Sequence, residues 1–245
     1  MEPDAVAGSI GLEYLPQEKF KVTGRFEHRQ ELIETGRTSY LAETGAAYKI
    51  HPDYSLLFRE RFYTENVGGA GNHTTSRTML GLAYRPLLEN RFNALTKVEY
   101  KNEFNEAATP YYREDAMIFS TEGVFQATPR LQIMGKYAGK LSRDVDFSAY
   151  TDLISGRFIY DLTDRWDVGV EYRILNSYAV NSTYQGGAAE VGYRVVKNLW
   201  VSAGYSFDKF DADLAGDSYQ GEGPYLKLRM KFDENIFKMF KKQKP

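Results

Sequence analysis

The sequence predicts an all-β fold, a transmembrane antiparallel up-and-down β-barrel of about 12–14 strands. Apolar and polar residues alternate along many segments, a hairpin-sized unit recurs, and short connections alternate with longer ones. Composition agrees, because mean hydropathy is only -0.50 although aromatic residues make up 15% of the chain. In a membrane barrel only every second residue faces lipid, and aromatic residues collect at the two membrane interfaces.

The alternation is clearest in residues 224–232. Leu226, Leu228 and Met230 fall on one face of an extended chain, and Lys227 and Arg229 fall on the other. On a helix the same residues would be spread over every face, so the period of two predicts a strand. Similar alternation occurs in residues 20–27, 92–101, 166–174 and 199–208, each close to the roughly 9–11 residues that a tilted membrane strand needs.

A longer repeat accompanies this pattern. Gly-initiated segments such as residues 11–14, 45–48 and 81–84 each precede a short turn and a further strand. Short connections, for example Thr128-Pro129-Arg130, contain the Pro, Asn and Asp typical of tight turns. Longer polar connections, including an acidic one near residues 105–115, alternate with them, and in outer-membrane barrels the short turns are periplasmic. We count about 13 strands. An even number is usual, so either about 14 with one lost upstream or about 12 is expected.

Several functional classes are not favoured by the sequence. No apolar run approaches the roughly 18–20 residues of a membrane helix. The start at Met1 lacks the basic and apolar regions of a signal peptide, so we expect a mature or excised segment. Cys is absent and the net charge is -2, so disulfides are excluded and nucleic-acid binding is not indicated. The three His residues are far apart and pair with no evident nucleophile, so we predict no metal site, no cofactor and no enzyme.

The alternation assigns residues to two faces. The predicted lumen-facing charged residues are Lys21, Arg25, Glu27, Arg59, Arg61, Arg85, Lys97, Glu99, Lys101, Lys136, Arg157, Glu171, Arg173, Arg194, Lys227, Arg229 and Lys231. The predicted lipid-facing residues are Phe20, Val22, Phe92, Val98, Tyr100, Trp166, Val168, Val170, Tyr172, Val201, Tyr205, Phe207, Leu226, Leu228, Met230 and Phe232.

A barrel of about 14 strands lies between the filled size near 8 strands and the open porins of 16–18 strands. We therefore expect a pore with a net cationic lumen that passes ions and small solutes. The alternative for the charges is that they pair across neighbouring strands and only keep the interior wet.

Two places break the alternation. Glu60 falls on the lipid side if Leu56 and Phe58 do, and a carboxylate there is costly at mid-depth. We expect a β-bulge or register change at residues 59–61, and a second one at residues 152–155.

Three stretches carry a resemblance to a known family: residues 160–173 (YDLTDRWDVGVEYR), 199–207 (LWVSAGYSF) and 223–233 (GPYLKLRMKFD). They resemble the C-terminal outer-membrane barrel segment of large repeat-containing surface proteins of Gram-negative bacteria. The resemblance implies an outer-membrane location, no catalytic residues and an upstream passenger outside this chain. It also implies the alternative function, a membrane anchor or translocation barrel of a larger surface protein.

The strand ending at Phe232 resembles a barrel-assembly signal, although about a dozen residues follow it. We therefore expect the barrel-assembly machinery and outer-membrane lipids as partners of a monomeric chain. The predicted domains are a barrel at residues 1–233 and a periplasmic tail at residues 234–245.

Overall fold

The chain forms thirteen β-strands and no helix in the residues described by the computed structural model, which are 5–17, 19–32, 36–68, 70–86, 88, 91–108, 111–144, 147–196, 199–207 and 222–230. The strands are β1 (Ala5–Gln17), β2 (Phe20–Glu31), β3 (Thr38–His51), β4 (Tyr54–Asn66), β5 (Asn72–Tyr84), β6 (Phe92–Asn105), β7 (Tyr112–Thr128), β8 (Leu131–Arg143), β9 (Ser148–Asp161), β10 (Trp166–Ser177), β11 (Ser182–Val196), β12 (Leu199–Ser206) and β13 (Gly223–Met230). No helix in these ranges is long and apolar enough to span a membrane. The predicted tail at residues 234–245 lies outside the described residues.

Every strand pairs antiparallel with its neighbours in sequence, so that the sheet order is β1 to β13. This is an up-and-down meander. The predicted all-β class and the range of about 12–14 strands are confirmed, with thirteen strands in the described residues, and the expected even total stays a prediction. Because the number of described strands is odd, β1 and β13 run in the same direction. Their described residues do not pair with each other.

The connections define two sides of the sheet. On the turn side lie the links β1–β2, β3–β4, β5–β6, β7–β8, β9–β10 and β11–β12, and on the loop side lie the others. Thr128 shows how a tight turn forms, because its Oγ1 accepts hydrogen bonds from the backbone N–H groups of Arg130 and Leu131. Thr163 does the same for Arg165 and Trp166. In both turns a Thr hydroxyl near the end of a strand thus stabilises the reversal of the chain.

Register shifts occur only near the turn side in the described pairings, for example between Lys49 and His51 and between Gln126 and Thr128. The expected bulges at residues 59–61 and 152–155 are wrong. β4 pairs with β5 in one continuous register, and β9 does so with both β8 and β10. Glu60 and Asp152, the polar residues for which we expected bulges, are hydrogen-bonded to side chains on the adjacent strands. The backbone therefore keeps its regular alternation at both places.

The two faces of the sheet differ sharply in exposure. One face, called the inner face, buries Ala138 and Leu153 completely, whereas Phe158 on the opposite, outer face is 49% exposed. The difference is strongest in β7 to β12, and β1 is exposed along its whole length. The inner face is therefore most enclosed in the second half of the chain.

Gly204 permits one close approach on the inner face. A Cβ atom at this position would lie 2.5 Å from Cζ of Tyr225 and 2.7 Å from the carbonyl oxygen of Ala189. The Tyr225 ring lies across Gly204 and donates its hydroxyl to Glu190 Oε2 at 3.1 Å. Gly204 thus lets β13 hold a contact that reaches two strands away.

We predict that Gly204→Ala lowers the free energy of unfolding by about 1–3 kcal/mol, because the added methyl overpacks this contact. The matched control is Gly135→Ala, since no atom lies within 4 Å of a Cβ built at Gly135. Urea unfolding in detergent micelles measures both. Equal stabilities of the two variants would contradict the packing that places Tyr225 over Gly204.

Candidate lipid-facing and lumen-facing surfaces

Aromatic side chains form a row on the outer face at the turn side. Ring contacts join neighbouring strands, with centroids 4.9 Å apart for Tyr54 and Tyr84, 6.1 Å for Tyr84 and Phe92, and 4.7 Å for Trp166 and Tyr193. We call this the turn-side aromatic row, and it comprises Phe20, Tyr48, Tyr54, Tyr84, Phe92, Phe125, Tyr160, Trp166 and Tyr193. Rings that are apolar with a polar edge suit the boundary between hydrocarbon and water.

A second row lies on the same face toward the loop side. It includes Phe26, Tyr40, Phe62, Tyr100, Tyr137, Tyr172 and Tyr205. The stretch from Tyr54 to Phe62 contains nine residues, which matches the roughly 9–11 residues of a tilted strand that crosses hydrocarbon. Between the two rows the outer face carries exposed apolar side chains such as Leu80 and Val170. This is the pattern of an apolar band between two aromatic girdles.

The predicted lipid-facing residues are placed as follows. The outer face holds Phe20, Val22, Phe92, Val98, Tyr100, Trp166, Val168, Val170, Tyr172, Val201, Tyr205, Leu226 and Leu228. Phe207 follows β12, is 55% exposed and contacts the Tyr205 ring. Met230 is opposite Leu199 in the register, and Phe232 lies outside the described residues. Contact of this surface with lipid stays a prediction.

Glu60 lies on the outer face inside the apolar band, in the regular register of β4. Ser76 donates to its Oε1 at 3.1 Å and Thr78 donates to its Oε2 at 2.5 Å, both from β5. Each carboxylate oxygen thus has a hydroxyl partner, which reduces the cost of a polar group that faces lipid.

Asp152 is the second polar exception on the outer face, near the loop side. Asn176 Nδ2 and the Tyr178 hydroxyl donate to its two oxygens at 2.7 Å and 3.0 Å. The hydrogen bond to the Asp152 carboxylate raises the pKa of the Tyr178 hydroxyl. Asp115, on β7, is similarly bonded to Tyr100 and Asn102, at 2.8 Å and 2.6 Å.

The inner face carries ion pairs that cross between strands. In β6 to β8, Lys101 Nζ lies 2.5 Å from Glu103 and 3.2 Å from Glu114, and Lys140 Nζ lies 2.7 Å from Glu114. His73 on β5 extends the chain of contacts, with Nε2 at 2.9 Å from Glu103. We call this group the loop-side ion network.

A second group, the β9–β11 ion network, lies nearer the middle of the sheet. Arg173 Nε donates to Glu171 at 2.7 Å, and Arg157 lies 3.7 Å from the same carboxylate. Arg157 also pairs with Glu190, which is only 5% exposed. Charges this buried are tolerated because each has a charged partner within hydrogen-bonding reach.

The predicted lumen-facing residues lie on the inner face wherever the strands are described. These are Lys21, Arg25, Glu27, Arg59, Arg61, Lys97, Glu99, Lys101, Lys136, Arg157, Glu171, Arg173, Arg194 and Lys227. Arg85 follows β5, Arg229 is opposite Trp200 in the register, and Lys231 lies outside the described residues. The existence of a lumen stays a prediction.

Arg77, Glu103 and Glu114 are among the inner-face charged residues that lie outside the predicted set. Arg77 and Glu103 occupy positions of β5 and β6 that the alternation assigns to the inner face, so the alternation could have identified them. Glu114 and Asp115 were expected in an acidic loop, but β7 begins at Tyr112, and they lie in the strand on opposite faces. In the described ranges, no three His, Asp or Glu side chains are grouped so that they could hold a metal ion.

Comparison with known families finds no matching family, and comparison with curated proteins finds no match. Solved structures do match. The siderophore receptor PirA from Pseudomonas aeruginosa superimposes with a TM-score of 0.64 at 9% identity, over 82% of this chain and 41% of that one. The ferric enterobactin receptor PfeA gives 0.59 at 8% identity, over 84% and 42%. CdiB from Acinetobacter baumannii gives 0.54 at 10% identity, over 95% and 52%.

The fold is that of an outer-membrane β-barrel. The chain spans roughly half or less of the length of these matched proteins, and identities this low establish the fold alone. The apolar band between two aromatic rows agrees with the expected place in the outer membrane of a Gram-negative bacterium. The resemblance to repeat-containing surface proteins stays a prediction.

We predict that Val170→Arg, at an outer-face position between the two aromatic rows, costs about 2–4 kcal/mol of stability in a bilayer. The matched control is Val124→Arg on the inner face, which should cost far less because the guanidinium there has polar neighbours. Urea titration of both variants folded into phospholipid vesicles measures the difference. If Val124→Arg were the more damaging change, the assignment of faces would be reversed.

The loop-side ion network generates another prediction. Glu114→Ala should cost about 1–3 kcal/mol, because Lys140 loses this carboxylate whereas Lys101 keeps Glu103. Glu13→Ala serves as control, since Glu13 pairs with Lys21 at an exposed site where loss costs at most about 1 kcal/mol. Urea unfolding in detergent micelles measures the unfolding free energy of both variants. Equal losses of stability would mean that Glu114 is as hydrated as Glu13.

Proposed function

We propose that this chain forms the wall of a water-filled passage that conducts ions and small solutes across the outer membrane, with a net cationic lumen. The observation that carries the proposal is the contrast between the faces. The outer face is largely apolar between its aromatic rows, whereas the inner face carries charged side chains on most of the described strands. Charged groups in such numbers are costly in a dry interior, so a wet lumen is the environment that suits them.

The excess of positively charged side chains on the inner face supports a selectivity for anions. In the described strands, Lys and Arg outnumber Asp and Glu on this face, with several cations, such as Arg25 and Arg61, on the more open half. Fixed charges around a passage bias which ions enter it. We therefore propose a preference for anions and no catalytic role.

The second candidate is a membrane anchor or translocation barrel of a larger surface protein. The extensive ion pairing favours it, because paired charges tie neighbouring strands together and leave less net field for selecting ions. Under this proposal the inner face stabilises the wall, and transport of solutes is absent.

Conductance separates the two. We expect the folded chain in a planar bilayer to give steady openings, with a reversal potential that shows anion preference under a KCl gradient. Lys97→Glu should reduce that preference because Lys97 lies on the inner face, whereas Lys19→Glu, between β1 and β2, should leave it nearly unchanged. Absence of openings from protein shown to be folded and inserted would overturn the passage and leave the anchor.

A further inference from the structure

The inner face holds a pocket of about 560 Å³ at its turn side. The ends of β7 to β12 line it, together with the tight turns that join β7 to β8 and β9 to β10. We call it the turn-side pocket. Its volume falls within the range of about 300–1,000 Å³ that is typical of sites for small molecules. Neither of the two ion networks contributes a residue to its lining.

The charges that line the turn-side pocket balance. Three are cationic and three are anionic, namely Arg130, Arg165 and Arg194, and Asp161, Asp164 and Asp167. An anion would meet carboxylates here and a cation would meet guanidinium groups, so the pocket favours neither. The wall instead offers hydrogen-bond donors and acceptors side by side, because guanidinium groups only donate and carboxylates only accept.

An indole ring accompanies these polar groups. The chain has two Trp residues, and Trp166 belongs to the turn-side aromatic row of the outer face. Trp200 lies on the inner face instead, opposite Arg194 in the register, where it is half-buried and lines the pocket. Contact with lipid cannot account for a ring on this face. Trp200 therefore places a large, flat apolar surface in an otherwise polar pocket.

The side chains of Trp200, Arg194 and Asp161 are available to a ligand. In the described part of the chain, no hydrogen bond, ion pair or ring contact engages any of the three side chains. Their backbones are fixed, since the N–H of Arg194 donates to the carbonyl of Arg165 at 2.7 Å and that of Asp161 to the carbonyl of Arg130 at 2.8 Å.

These three residues are spread across the pocket. Arg194 on β11 is directly beside Trp200 on β12, whereas Asp161 lies on β9. Three strand spacings of about 4.8 Å separate β9 from β12. The pocket is thus wide enough for a ligand of more than one ring that touches the indole at one end and the carboxylate at the other.

We propose that the turn-side pocket binds a short saccharide, with one sugar ring stacked on Trp200. A sugar ring has an apolar C–H face that fits an indole, and a rim of hydroxyls that each donate and accept a hydrogen bond. Arg194 donates to hydroxyls of this rim, and Asp161 accepts from others. The absence of a net charge in the lining suits such an uncharged ligand.

The proposal goes beyond the proposed function, because binding in this pocket requires no conduction. It also concerns a neutral solute, which a preference for anions does not predict. A saccharide held here would lie at the turn-side end of the inner face.

The test uses the emission of Trp200 as its readout. Trp166 borders the pocket, but its ring packs against Tyr193 of the outer-face row, so Trp166→Phe keeps an aromatic ring there and leaves Trp200 as the sole tryptophan. This variant, folded in detergent micelles, is titrated with trisaccharides of glucose, of N-acetylglucosamine and of mannose. We expect a saturable change of emission with at least one of them, at lower concentration than with its own monosaccharide. Inorganic phosphate should give no such change.

Variants in the same background locate the site. Arg194→Gln and Asp161→Asn should each weaken binding by about tenfold, as expected for the loss of a hydrogen bond to a charged group. The matched control is Arg61→Gln, which changes an inner-face arginine of β4 outside the pocket and should leave binding unchanged. Calorimetry on the chain with Trp166 intact adds Trp200→Leu, which should abolish the binding heat, and Trp200→Phe, which should retain part of it.

Three results would overturn the site: no saturable change with any trisaccharide, the same change with phosphate, or equal weakening by Arg61→Gln and Arg194→Gln. Conductance in KCl keeps these outcomes apart from the proposed function. A chain that conducts but binds no trisaccharide loses the site and retains the passage. A chain that binds one through Trp200 but does not conduct retains the site and loses the passage.

Discussion

Continuous hydrogen bonding between adjacent antiparallel strands is the constraint on which the rest of this structure depends. In hydrocarbon every backbone N–H and C=O must be bonded within the wall, so strands cannot separate or end inside it. A slip of one residue would also exchange the two faces. The register shifts in the described pairings lie near the turn side, such as that between Arg194 and Val196, and the middle of every strand keeps its alternation.

This rigid register explains how unfavourable side chains are accommodated. The backbone does not move to hide Glu60 or Asp152. Hydroxyl and amide groups on the neighbouring strand bond to them instead. The inner face uses the same solution with charges, since Glu114 and Glu190 each bond to residues on other strands. Lateral partners across the sheet therefore take the role that a packed core has in a soluble protein.

The sequence was sufficient for the fold because alternation is a local property. Leu226 and Lys227 differ in face whatever lies beside them, and the tight turns carry their own signals. It was insufficient for the two expected bulges and for Glu114, because the partners that hold these side chains lie on adjacent strands. The contact of Tyr225 with Glu190 across Gly204 requires the register of three strands at once. That register depends on connections whose exact length alternation does not fix.

Because β1 and β13 run in the same direction, the first and last described strands bring the two ends of the sheet to opposite sides. Ala5 begins at the loop side and Met230 ends at the turn side, so the polypeptide enters this sheet on one side and leaves it on the other. With an even number of strands both ends would lie on the same side. A pull between a segment attached ahead of β1 and a segment attached after β13 would therefore act from the loop side to the turn side, and the ladder of backbone hydrogen bonds would bear it.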